Sequence, residues 1–220
     1  GGRDGLGDQL AGGSRSMAKV IGKGSIEFAP QVKGLEIPGY EPRALQTMAL
    51  GFAVSSRGAD HNRSGAYEID FSEQGNRRQG SPAAAEGAMA TEDRATIMDC
   101  LILCKFLRGT LDDFYGEAAA MLSHVTGWDV DGEELQQVAR RVAAARKLFN
   151  IQSGWTPEED SLPARFLSTA LPDDPQARLT AEQLEEMVRA YNRGRGWEDN
   201  GFLPDELLLQ YGLDSFAEGP

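Results

Sequence analysis

Four stretches of the sequence hold side chains able to do chemistry. The first is Asp99-Cys100-Leu101-Ile102-Leu103-Cys104, a carboxylate and two thiols in an apolar run. Thiolates are nucleophiles and soft-metal ligands. Cys100 and Cys104 are the only cysteines, and on a helix a spacing of four sets them one turn apart on one face. Two thiols cannot complete a four-cysteine zinc or iron–sulfur site. Any metal held here therefore needs further ligands from elsewhere. The simpler reading makes both cysteines small core residues and Asp99 a buried, satisfied carboxylate.

The second stretch is Asp60-His61-Asn62-Arg63, a polar loop after an apolar helix. Loops on a rigid scaffold are where reactive groups gather, although polar residues also collect in loops simply to make turns. The other histidine, His124, reads as structural because it has no nearby partner. The third, Lys33-Gly34-Leu35-Glu36, could cradle an anion through Lys33 and backbone amides, or be a surface turn. The fourth, Arg195-Gly196-Trp197-Glu198-Asp199-Asn200-Gly201, reads as a packing turn.

Composition narrows what these groups can serve. Across 220 residues, 22 Lys and Arg face 34 Asp and Glu, for a net charge of −12. Such a surface repels phosphate backbones, so nucleic acid is not an expected partner. Mean hydropathy is −0.41, and no apolar run reaches the roughly 18 residues of a membrane helix. The opening Gly1-Gly2-Arg3-Asp4 lacks Met and any signal pattern, so neither a secretory precursor nor a natural N-terminus is expected. Two cysteines make no disulfide framework, and a reducing, cytoplasmic setting is expected. The P-loop, G-x-G-x-x-G, H-E-x-x-H and G-x-S-x-G motifs are absent, which leaves nucleotide binding and hydrolysis without support.

The elements that must position these groups read as mainly α, a multi-helical fold without internal repeats. Helices are expected over 8–21, 42–55, 91–107, 111–126, 132–149, 180–192 and 204–211, with 27–40 extended around its prolines. Asp112 and Asp113 suit a first helical turn. Asp131 with Glu134, and Thr180 with Gln183, have capping-box spacing. The polar stretch 72–87 reads as a flexible insertion.

Taken together and in order, several of these segments resemble the C-terminal region of the tungsten-dependent aldehyde ferredoxin oxidoreductases. They are Lys33 to Tyr40, Arg57 to Arg63, Asp99 to Cys104, Lys147 to Ile151 with Gly154-Trp155-Thr156, Leu162 to Phe166, and Arg195-Gly196-Trp197. The resemblance covers nearly the whole chain. It implies that residues 1–30 end a middle helical domain and that 31–220 form a C-terminal helical domain. Upstream domains of a larger enzyme would complete the molecule. In the family motif D-x-x-G-L-C, Asp99, Leu103 and Cys104 match, while Ile102 stands where the family usually has glycine. By that match Asp99 and the Leu103 backbone hydrogen-bond a pterin of the tungsten bis-pterin cofactor, and Cys104 is one of four thiolates on a 4Fe–4S cluster. The other three belong to an upstream C-x-x-C-x-x-x-C run, and Cys100 matches no required position. His61 resembles a histidine near the tungsten, a proton donor or substrate contact.

The implied reaction oxidises an aldehyde to a carboxylic acid, with ferredoxin or an electron-transfer subunit as acceptor. The chain alone is expected to be inactive and to expose an apolar face. Two alternatives stand beside this: the benzoyl-CoA reductase branch, whose Asp60–Arg63 wording is similar, and a cofactor-free helical interaction module.

Overall fold

The computed structural model describes residues 5–73 and 76–217. The chain start at 1–4, positions 74–75 of the expected insertion and the last residues, 218–220, lie outside the described residues. Twelve α-helices and one small hairpin make up the regular structure described, so the mainly helical expectation holds. The hairpin pairs β1 (Gln31–Val32) with β2 (Leu35–Glu36), antiparallel, with Gln31 opposite Glu36.

The first expected helix is two, α1 (Leu6–Ala11) and α2 (Gly13–Ile21). Gly13 sits at φ +79, a conformation glycine adopts without steric cost, and it breaks the run that periodicity alone would continue. Within these two helices only Ala18 is buried, while Leu6, Leu10, Val20 and Ile21 are exposed.

The core is built on α3 (Gln46–Val54), all nine of whose residues are buried. A helix start inside the core must find partners for its free N–H groups. Asp70, at the end of α5 (Tyr67–Asp70), supplies them, accepting from the Thr47 and Met48 amides at 3.0 and 2.8 Å. Burial lifts the Asp70 carboxyl above its ordinary pKa despite those bonds. Between them lies α4 (His61–Ser64). A Cβ on Gly51 would come 2.2 Å from Ser64 Oγ, so only glycine lets α3 approach α4 this closely.

The axis of the domain is α6 (Ala84–Cys100), which packs on α3, α4, α8 (Gly132–Gln152) and α10 (Ala181–Gly194). It starts seven residues earlier than expected, inside the supposed insertion, two residues after Pro82. It also ends at Cys100 and not at 107. Near its C-terminus, Ile97 joins Ala118 and Ala119 of α7 (Phe114–Thr126) and Leu135 and Ala139 of α8 in a second cluster. A third forms where Ala144 and Leu148 of α8 meet Leu208 of α11 (Asp205–Tyr211) and Leu213. The helices α9 (Ala164–Ser168) and α12 (Asp214–Ala217) are short.

The expected caps are present. Asp131 accepts from the Glu134 amide at 2.9 Å, and Thr180 and Gln183 form a reciprocal box. Asp113 caps α7 and does not lie inside it.

Two buried polar clusters lock the helices. Arg195 is 7 % exposed and pairs with Asp93 Oδ1 at 2.5 Å and Glu92 Oε2 at 2.6 Å, while Tyr191 donates to Glu92. Trp197 lies edge-on to Tyr191, so the packing role expected for 195–201 is what the structure shows. In the second cluster Asp160 accepts from Lys33 at 2.7 Å, Lys147 at 2.8 Å and Trp155 Nε1 at 3.0 Å. Lys33 Nζ also donates to the Ala53 and Ser55 carbonyls. An ammonium has three donors, and all three are engaged. Lys33 is therefore an interior strut and no anion cradle, whereas Lys33-Gly34 is the turn of the hairpin, as the other reading of this segment expected. Burial pushes the Lys147 ammonium down to about 8, and its charge rests 3.1 Å from the centre of the Trp155 ring.

Candidate functional site

The site starts where α6 stops. After Cys100, Leu101 is still near helical, and Ile102 flips to φ +57. The Ile102 amide then donates to the Asp99 carbonyl and the Leu103 amide to the Met98 carbonyl, at 3.2 and 2.8 Å. This pair of backward bonds is the Schellman ending, which satisfies helix carbonyls and wants a left-handed residue after the cap. That requirement explains a glycine at the fourth position of D-x-x-G-L-C. Here a β-branched isoleucine holds it, a sterically costly choice.

The turn reverses the chain, so Asp99 to Cys104 is not the continuous helix the apolar run suggested. Cys100 ends α6, whereas Cys104 follows in extended backbone. Both thiols are exposed, and so is Asp99. The reading of these three as buried core residues is overturned. Ile102 at 92 % and Phe106 at 93 % exposure flank Cys104. Large apolar side chains thus stand exposed on either side of the thiol.

Asp99 is the charge centre of this end. It pairs with Lys105 at 2.9 Å, Arg63 at 3.1 Å and Arg146 at 3.8 Å. One carboxylate thus faces three cations. Arg146 lies half-buried on α8; burial and the neighbouring Arg63 guanidinium both lower its pKa.

His61 lies on the adjoining helix. Asp60 caps α4, its Oδ1 accepting from the Asn62 and Arg63 amides, so the expected loop is a short helix. The half-buried His61 ring sits 5.3 Å from Tyr40 and 6.3 Å from Tyr67, whose rings stack at 5.0 Å. His61 and Arg63 belong to the same turn, and Arg63 reaches Asp99. The structure thereby links the helix of His61 to Asp99 through Arg63, while Leu103 and Cys104 follow Asp99 in the chain. His124 stands apart, exposed on α7.

Four residues of this region carried no local signal as site residues: Tyr40, Tyr67, Arg108 and Arg146. Each acts across a tertiary contact that no spacing rule encodes.

No group of three or more His, Cys, Asp or Glu side chains able to hold a metal occurs among the described residues. What the chain offers is two exposed thiols, that of Cys104 between bare apolar side chains, near a carboxylate with three cationic neighbours. That donor set is too small to hold a metal by itself and fits a cluster only if further ligands come from elsewhere.

In class, then, the chain is a multi-helical unit built around one long central helix. Residues 1–213 match the family described as aldehyde ferredoxin oxidoreductase, domains 2 & 3. The chain belongs to that family. The tungsten-containing aldehyde ferredoxin oxidoreductase of Pyrococcus furiosus is 31 % identical over 219 residues, covering 97 % of this chain and 35 % of that protein. The protein of the same name from Thermococcus kodakarensis gives the same identity and coverage. The chain thus spans about a third of the length of these curated relatives. A solved structure, the active site complex BamBC of benzoyl coenzyme A reductase in complex with 1,5-dienoyl-CoA, superposes with a TM-score of 0.69 over 98 % of this chain and 38 % of that one. At 18 % identity that likeness is one of fold. No described helix is long and apolar enough to cross a membrane.

Proposed function

We propose that this chain is the cofactor-covering C-terminal part of a tungsten-pterin, iron–sulfur oxidoreductase. Residues 1–30 end its middle helical domain and 31–220 form its last domain. The exposure of Leu6, Leu10, Val20 and Ile21 suits helices that pack on a domain upstream. The intact enzyme works in the cytoplasm.

The observation that carries the reading is the Schellman turn at Ile102, which ends α6 at Cys100, leaves Leu103 half-buried and is followed by an exposed Cys104. Cys104 is one thiolate ligand of a 4Fe–4S cluster, whose other ligands come from upstream. Asp99 accepts hydrogen bonds from a pterin edge. Its three cationic neighbours hold the carboxylate in place. The Leu103 amide is engaged by Met98, so the Leu103 carbonyl is the backbone group left for the pterin. When bound, the tungsten-pterin and the cluster supply oxygen transfer and the electron exit. Overall, aldehyde and water become carboxylic acid, two protons and two electrons, and ferredoxin takes the electrons. His61 gives or takes a proton at its ring nitrogen. Tyr40 and Tyr67 hold the ring plane, and Arg63 ties its helix to Asp99.

Replacing Cys104 by Ala in the intact enzyme should remove or convert the cluster and abolish electron transfer, with the fold retained because the thiol is exposed. Iron content and aldehyde turnover equal to wild type would refute the assignment. The fold likeness to the benzoyl-CoA reductase complex and the Asp60–Arg63 stretch favour ring reduction as the second reading. Turnover of an aromatic acyl thioester, with none of aldehydes, would establish it. A native protein without metal would leave the helical interaction module.

A further inference from the structure

The proposed roles fall on different segments; Arg63 ties the His61 helix to Asp99, and a second side chain joins that helix to the turn after Cys104. Arg108 follows the 3-10 turn (Lys105–Leu107) after Cys104. Its Nε donates to the Lys105 carbonyl at 2.7 Å, Nη1 to Glu68 Oε1 at 3.2 Å and Nη2 to Asn62 Oδ1 at 3.2 Å. Its guanidinium carbon lies 5.4 Å from the centre of the Tyr67 ring. One planar fork therefore touches the turn after the thiol, the residue next to His61, and the aromatic stack against which His61 lies.

We infer that Arg108 is a positioning residue that registers the His61 helix against the Cys104 turn. A guanidinium is rigid and its donors are fixed in one plane. Moving either segment breaks at least one of its contacts. The side chain is 20 % exposed. Burial pulls its pKa below the usual guanidinium value, with Tyr40 opposing the shift; arginine nevertheless stays charged. The contact is not needed to hold Glu68, because Arg94 on α6 pairs with that carboxylate independently. The fold should therefore survive the loss of Arg108, whereas the registration should not. The inference rests on the proposed roles of His61 and Cys104.

The test uses the full-length protein, prepared without oxygen, with Arg108→Gln and Arg108→Lys beside wild type. Arg108→Gln should keep its melting temperature within a few degrees and its metal content unchanged. Its kcat should drop by about 10- to 100-fold, the scale of an ångström-sized misplacement, with KM within about twofold. Arg108→Lys should recover part of the loss, since it restores the charge over Tyr67 but not the fork. In metal-free protein, hydrogen exchange of peptides covering 57–71 and 101–110 should quicken together in Arg108→Gln, leaving 132–152 unchanged. Wild-type kcat in Arg108→Gln, or faster exchange confined to one of the two peptides, would overturn the inference while leaving the redox reading intact. Wild-type protein without iron or turnover would overturn the redox reading and this role with it.

Discussion

One helix, α6, carries two ionic clusters of opposite kinds. Midway along it, Glu92 and Asp93 meet Arg195 and the Tyr191 hydroxyl in a closed knot, in which no member's side chain is more than 12 % exposed. About two turns on, Asp99 meets Arg63, Lys105 and Arg146 at side-chain exposures of 20 to 34 %. In the first, carboxylates outnumber the guanidinium, and burial raises the Asp93 carboxyl. In the second, cations outnumber the carboxylate. A buried, closed cluster can only hold helices together. A half-open one with surplus charge, beside an exposed thiol and bare apolar side chains, is available to something outside the chain.

That contrast breaks most visibly in the first cluster. Arg195→Met should cost the intact protein about 3–5 kcal/mol, because two buried carboxylates lose their counter-charge. Chemical denaturation measures this. Adding Glu92→Gln should recover part of the loss, since the sites are coupled. Asp99→Asn is the matching change in the second cluster. It should cost about 1 kcal/mol or less, the scale of half-exposed ion pairs, yet lower turnover sharply. Equal stability losses in the two variants would erase the distinction between the clusters. The smallest effect sharpens the local geometry. Ile102→Gly should stabilise the protein by up to about 1 kcal/mol, because glycine takes the left-handed position without a Cβ clash. A loss of stability there would mean that Ile102 makes a packing contact that outweighs its backbone strain.

Much of the helical frame was legible because its signals are local. Thr180 with Gln183, Asp131 with Glu134, and Pro204 before α11 mark helix starts through chemistry within a few residues. The end of α6 was not legible. A helix stop is usually written as glycine, and here isoleucine occupies the left-handed position, so the apolar run reads on to 107. The exposure of Cys100 and Cys104 was missed for the same reason, because the turn that lifts Cys104 off the helix has no sequence mark. Lys33 looked free because Asp160, its partner, lies 127 residues away. Arg63 to Asp99 and Arg108 to Asn62 are likewise tertiary, and only the fold brings them together. The family motif singled out Asp99, Leu103 and Cys104, but no local signal marked Arg108 or Arg146, two side chains packed around them.

The central claim is that Asp99, Leu103 and Cys104 form one corner of a metal and pterin site completed by the rest of a larger enzyme. It is tested most directly by measuring tungsten, molybdenum and iron in the native polypeptide carrying this sequence, purified without oxygen. The expected result is tungsten with about four irons per chain, the content of one such cluster, on a protein longer than these 220 residues. A native protein free of all three metals would contradict it.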